Sequence, residues 1–235
     1  MTDKLKKIGF YRKTGLICAA LVLLLIFCNS AMVWAAGKTL PFSPTPQKAL
    51  LLDKKERRIL LYTEISLKHL SETNPHWGVV SMQGKLADKA IFRAYASPSD
   101  FFDALVDIGA RPGNNLNLKS SGDKVAGDRL AVSATWPGLD KELPLSAIVS
   151  DATGRGFDIR FGGNRERAVK EKTGCILCLE SCPISITSNA AYPTIGPVKR
   201  LFSSNSQFKG RSDVLPNVDR QPVIFIFRMS DPPLK

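Results

Sequence analysis

From residue 49 onward the apolar residues come in short runs, several alternating apolar and polar, and turn residues close each run. A period of two sends successive side chains to opposite faces of a strand, so such a chain builds sheets that each bury one face. "ALLLD" at 49–53 and "RILLYTEIS" at 58–66 flank the charged turn Lys54-Lys55-Glu56, which reads as a hairpin. "HWGVVSMQG" at 76–84, "KAIFRAYA" at 89–96 and "RLAVSATW" at 129–136 are further strands. Pro137-Gly138-Leu139-Asp140 turns the chain and "ELPLSAIVS" returns. "FDIRFGGN" at 157–164 runs into a glycine turn, and "PVIFIFRM" at 222–229 is a last strand.

One segment reads clearly as helix. Ser97 is an N-cap with Pro98 at the first helical position, and Asp100 and Asp103 suit the positive end of the helix dipole. Phe101, Leu105 and Ile108 share one face, and Gly109 stops the helix as the C′ glycine. "RERAVKEK" at 165–172 is a shorter helix that delivers the chain to the cysteines, and after the cysteines the chain reads as turn-rich up to residue 222. Strands outnumber helices and do not alternate with them. The expected class is therefore α+β, a mostly antiparallel sheet with a few short helices, in a single domain after an N-terminal signal segment.

That segment is residues 1–36. Lys4, Lys6, Lys7, Arg12 and Lys13 form a basic head, residues 16–27 are apolar apart from Cys18, and the small-residue end "AMVWAAG" offers a cleavage site. Leu16 to Ala36 is just long enough to act as an uncleaved anchor. Either way the remainder is expected outside the cytoplasm, periplasmic or in the cell envelope, with membrane contact confined to an uncleaved leader. Residues 37–47, with three prolines, read as a tether, and 48–230 as the folded domain. Of the formal charge of +12, the leader's five cations and one acid account for +4, leaving a moderately basic +8. No nucleic-acid motif accompanies that charge, so nucleic acid is not an expected partner and a solvated basic surface is.

Five cysteines are present, of which Cys18 and Cys28 lie in the leader. Cys175, Cys178 and Cys182-Pro183 in "KEKTGCILCLESCP" follow C-x2-C-x3-C-P, the last three members and proline of the ferredoxin run that holds a [4Fe–4S] cluster through thiolates. Lys172 stands where the first cysteine would be. The fourth donor would be a histidine or carboxylate from elsewhere in the fold, a partner's thiolate or a substrate, or the cluster would be of the [3Fe–4S] type. Of the two histidines, His69 in "SLKHLSE" reads as an exposed side chain. His76 in "NPHWGVV" is the candidate fourth ligand, with a buried hydrogen-bonded histidine as the structural alternative.

Two other readings of the cysteines stay open. Three cysteines and one histidine are a legitimate structural zinc set. In an oxidising compartment, any two thiols can instead form a disulfide and leave one free. Arg155, Arg160, Arg165, Arg167, Lys170 and Lys172 precede the cysteines, either offsetting thiolate charge or lining a solvated helix face. Export unfolded would place cluster loading outside the cytoplasm, and the expected partner of an exported redox centre is another envelope redox protein. Catalysis is not indicated: "RFGGN" is too short for a dinucleotide fingerprint, no Walker sequence occurs, and no hydrolase triad can be assembled.

"AIFRAYASPSDFFDALVDIGARPGNNL", "RLAVSATWPG" and above all "FDIRFGGNRERAVKEKTGCILCLESCPISITSNAAY" resemble the YdjY-like domain of exported bacterial proteins, over roughly residues 49–228. The resemblance implies an iron–sulfur-binding protein, with Cys175, Cys178 and Cys182 as metal ligands, Pro183 as part of the motif and His76 as the fourth group.

Overall fold

The computed structural model describes residues 43–194 and 208–230. The chain divides into two units, Met1–Thr39 and Leu40–Lys235, and all described residues belong to the second. The leader and most of the tether lie outside the described residues. No helix among the described residues is long and apolar enough to cross a membrane.

Twelve strands are described: β1 (Leu50–Asp53), β2 (Arg58–Ile65), β3 (Trp77–Ser81), β4 (Phe92–Ala94), β5 (Arg129–Thr135), β6 (Leu143–Pro144), β7 (Val149–Asp151), β8 (Ile159–Phe161), β9 (Cys175–Cys178), β10 (Thr187–Asn189), β11 (Phe208–Gly210) and β12 (Pro222–Met229). The helices are α1 (Lys68–Ser71), α2 (Pro98–Asp107), α3 (Leu145–Ile148) and α4 (Arg165–Glu171), with a 3-10 turn at Ala87–Lys89.

The expected α+β sheet is corrected by the strand order. β2, β12, β5, β8, β10, β9, β3 and β4 pair in that sequence, and β4 pairs back onto β2, so eight strands close into a barrel. β1 and β6 pair with β2 and β5 on the outside of that ring of pairings. The ladders are mixed in direction, since β9 with β10 and β3 with β4 run parallel. The fold is thus mostly β, a closed mixed barrel with four short helices, and closure removes the free edges that an open sheet would expose.

Closure depends on one long strand serving two partners on the same edge. Arg58–Leu61 of β2 pair with β1, and Thr63–Ile65 pair with β4. Alternation then sorts the side chains. Ile59, Leu61 and Ile65 of β2 join Val223, Phe225 and Phe227 of β12 in the main core, while Leu60, Tyr62, Ile224 and Ile226 form a second cluster on the other face.

The helix reading of 98–107 holds in detail. Ser97 Oγ accepts the Asp100 N–H at 3.1 Å, and Phe101 of α2 packs edge-on against Phe227 with ring centroids 4.8 Å apart. "ELPLSAIVS" does not simply return along β5. Only Leu143–Pro144 pairs there, the next four residues form α3, and β7 joins β11 in a separate two-stranded sheet. The stretch after the cysteines, expected as turns, carries β10 and β11. Its polar residues disguise the strand: Ser185, Thr187, Ser188 and Asn189 are all fully buried and hydrogen-bonded inside the fold.

Candidate metal centre

On a regular strand, residues three apart point to opposite faces, so Cys175 and Cys178 ought to diverge. Two irregularities in the β3–β9 ladder prevent this. Trp77 pairs with Cys178, Val79 with Leu177 and Val80 with Cys175, leaving Gly78 extra on β3 and Ile176 extra on β9. A bulge of this kind inverts the facing of the residues beyond it. Ile176 and Leu177, though adjacent, both enter the main core, while Cys175 and Cys178 share the outer face with Trp77 and Val80. Cys182 and Ile184 complete that cluster, and all three thiols are buried and unbridged.

The glycines beside the motif permit the close approach. A Cβ on Gly84 would lie 2.4 Å from the Gly174 Cα and 2.4 Å from the Thr173 carbonyl oxygen. Two chain segments therefore cross backbone to backbone immediately before Cys175, and Gly174 does so at φ +84°, a left-handed conformation suited to glycine.

The thiols are electrostatically one group. Hydrogen bonds with Cys175 and then Cys182, together with burial, push the Cys178 thiol well above its ordinary pKa. The hydrogen bond from Cys178 lowers Cys182, helped by the backbone N–H groups of Ile184 and Ser185, while burial and the nearby Glu180 carboxylate oppose it. Cys182 is thus the thiol that its surroundings favour as an anion, and Cys178 the one they hold protonated.

The turn after Cys182 owes its shape to the segment before the cysteines. Asn164, buried and left-handed at φ 56°, donates through Nδ2 to the carbonyls of Cys182 at 3.2 Å and Ser185 at 3.0 Å. Arg167, on α4, donates to the Pro183 carbonyl at 2.6 Å and also bonds the Asn164 side chain and the Leu116 carbonyl. With these carbonyls held away, the N–H groups of Ile184 and Ser185 face the Cys182 sulfur. "FGGNRER" therefore acts as the clamp of the cysteine turn. The expected cationic screen is largely spoken for: Arg160 pairs with Asp158 at 3.0 Å, Arg165 with Asp103 at 2.8 Å, and Arg167 serves the turn.

His76 is buried, its ring tilted against Trp77 with centroids 4.4 Å apart, and its backbone carbonyl accepts the Leu179 N–H at 2.7 Å. Its Nδ1 is buried without a hydrogen-bond partner, and burial lowers its pKa to about 4, so the ring is neutral. A neutral imidazole with an open nitrogen, one residue from the Trp77–Cys178 pairing, has the chemistry of a ligand. His69 is not the exposed side chain expected of it. It is 7% exposed, with Nε2 3.1 Å from the Asp88 carbonyl oxygen. Glu180, buried between Cys178 and Cys182, escaped the sequence reading, and its only signal there was its place inside the motif.

Among the described residues, no three His, Cys, Asp or Glu side chains already stand as a group able to hold a metal ion. The structure packs Cys175, Cys178 and Cys182 into one buried cluster, with Cys178 hydrogen-bonded to the other two, but gathers neither the three of them nor His76 into a finished ligand set. Thiol chemistry, burial and two N–H groups aimed at Cys182 nonetheless fit a thiolate-bound metal.

The model of the YdjY domain matches residues 50–228, a span that includes the clamp and all three cysteines. "Uncharacterized protein YdjY" of Escherichia coli (strain K12) is 35% identical over 168 residues, covering 71% of this chain and 73% of that protein. No solved structure matches. The chain belongs to the YdjY domain family.

Proposed function

We propose that this protein is an exported, cysteine-ligated metal protein in which Cys175, Cys178 and Cys182 hold an iron–sulfur cluster of the [4Fe–4S] type, with His76 as the fourth ligand. The observation that carries this reading is the bulged β3–β9 ladder, which turns Cys175 and Cys178 to one face and against Cys182. The cluster would supply one-electron transfer. The protein would supply buried, water-excluding surroundings, the sulfurs, and N–H donors to Cys182 that favour the more negative oxidation level. The basic, apolar start of the chain supports placement of this domain on the envelope side, facing another envelope redox protein.

Iron and acid-labile sulfide, measured on the full chain purified anaerobically, test the reading. Stoichiometric iron and sulfide with a charge-transfer band in the visible are expected, and protein lacking both contradicts it.

One observation favours a second reading. Cys178 already shares hydrogen bonds with both other thiols, an arrangement that equally suits a structural zinc site or a Cys178 disulfide without electron transfer. Zinc in place of iron, or a Cys178-linked peptide in a non-reducing map, selects that reading.

A further inference from the structure

The edge of β5 that faces β8 and β6 is not continuously paired. Its ladder to β8 ends at Leu130 with Ile159, and its ladder to β6 begins at Ser133 with Pro144, so Ala131 and Val132 span a notch in the barrel wall. A cavity of about 310 Å³ opens there. Its floor is apolar, formed by the core residues Leu130, Val132, Leu145 and Ile159 with the partly buried Phe157. Its mouth is polar, with Arg129, Ser146 and Ser230.

Among the described residues, the charge at the mouth is unbalanced. Arg129 binds Asp158 at 3.0 Å, but Arg160 binds both oxygens of the same carboxylate at 3.0 Å each. Neighbouring Asp128 is engaged by Arg111. Two guanidinium groups thus share one carboxylate, leaving one positive charge beside the opening. Arg129 is held in place by Asp158, yet more than half of its side chain remains exposed and able to donate.

We propose that this notch is a binding site for a small amphipathic carboxylate, its hydrocarbon chain on the apolar floor and its head group on Arg129. A concavity near 300 Å³ that sets apolar side chains beside one oriented charged group is a form that small-molecule sites take. A neutral ligand of the same shape would leave the excess charge unmet, and a purely polar anion would leave the floor wetted. The site does not depend on the metal reading.

Calorimetric titration of the full chain with octanoate, and with 1-octanol as the neutral control, tests the proposal. Octanoate should bind saturably at one per chain. Arg129→Gln should weaken it about tenfold, the loss expected for a hydrogen bond to a charged group, without altering the weaker binding of 1-octanol. Ser146→Trp, on an exposed position at the mouth, should abolish both. Absence of saturable octanoate binding, octanol binding as tight as octanoate, or an unchanged octanoate affinity in Arg129→Gln would each overturn it.

Discussion

Asn164 concentrates more of the site's geometry than any cysteine does. Its left-handed backbone would strain alanine as well as remove the side chain, so Asn164→Gly is the cleaner probe because glycine keeps the φ and loses only the hydrogen bonds. Two buried carbonyls and Arg167 would lose a partner, and thermal or denaturant unfolding should show a loss of about 2 kcal/mol. An unchanged stability would mean that the cysteine turn holds itself. His76 gives a prediction in pH. With its folded pKa lowered from 6.5 to about 4 by burial, its contribution to stability is complete above pH 6.5 and disappears as pH falls through about 4. That amounts to about 3 kcal/mol for a fully buried ring, and metal-stripped His76→Gln should lack this acid slope in stability measured against pH. The Ser97–Pro98 cap was legible because capping is local. The burial of His69 was not, since "SLKHLSE" is polar in sequence and its cover comes from the Asp88 turn.

The decisive element is the β3–β9 pair. C-x2-C on a strand implies diverging cysteines, and only the register shifts at Gly78 and Ile176 make them converge. Neither shift can be read from periodicity, because a bulge is selected by the partner strand and not by the residues' own pattern. The buried polar strand β10 was illegible for a similar reason: alternation of hydrophobicity is the signal, and "SITSN" satisfies its core positions with hydrogen bonds instead. The Gly84–Gly174 crossing sets where β9 starts. Gly84→Ala places a methyl carbon 2.4 Å from backbone atoms, so a loss of about 3 kcal/mol or more and displacement of Cys175 are expected. Unfolding curves and alkylation of Cys175 would reveal both, and a variant matching the parent in both would show that the crossing can relax.

At the scale of the whole molecule, most strands of the barrel were visible as runs, but their closure was not. Local patterns say which residues form strands and nothing of which strands pair, so the β2–β4 contact and the parallel pairs required the fold. Cys175, Cys178 and Cys182 likewise come into one buried cluster only through that closure, since β9 is fixed between β3 and β10. The proposed function requires these thiols to act as a single ligand set with Cys178 at its hub. Metal content per chain, measured for the parent and for Cys175→Ser, Cys178→Ser and Cys182→Ser with far-UV circular dichroism as the fold control, tests it most directly. Each variant should lose most of its metal while keeping the β-rich spectrum, and full metal retention in Cys178→Ser would contradict the account.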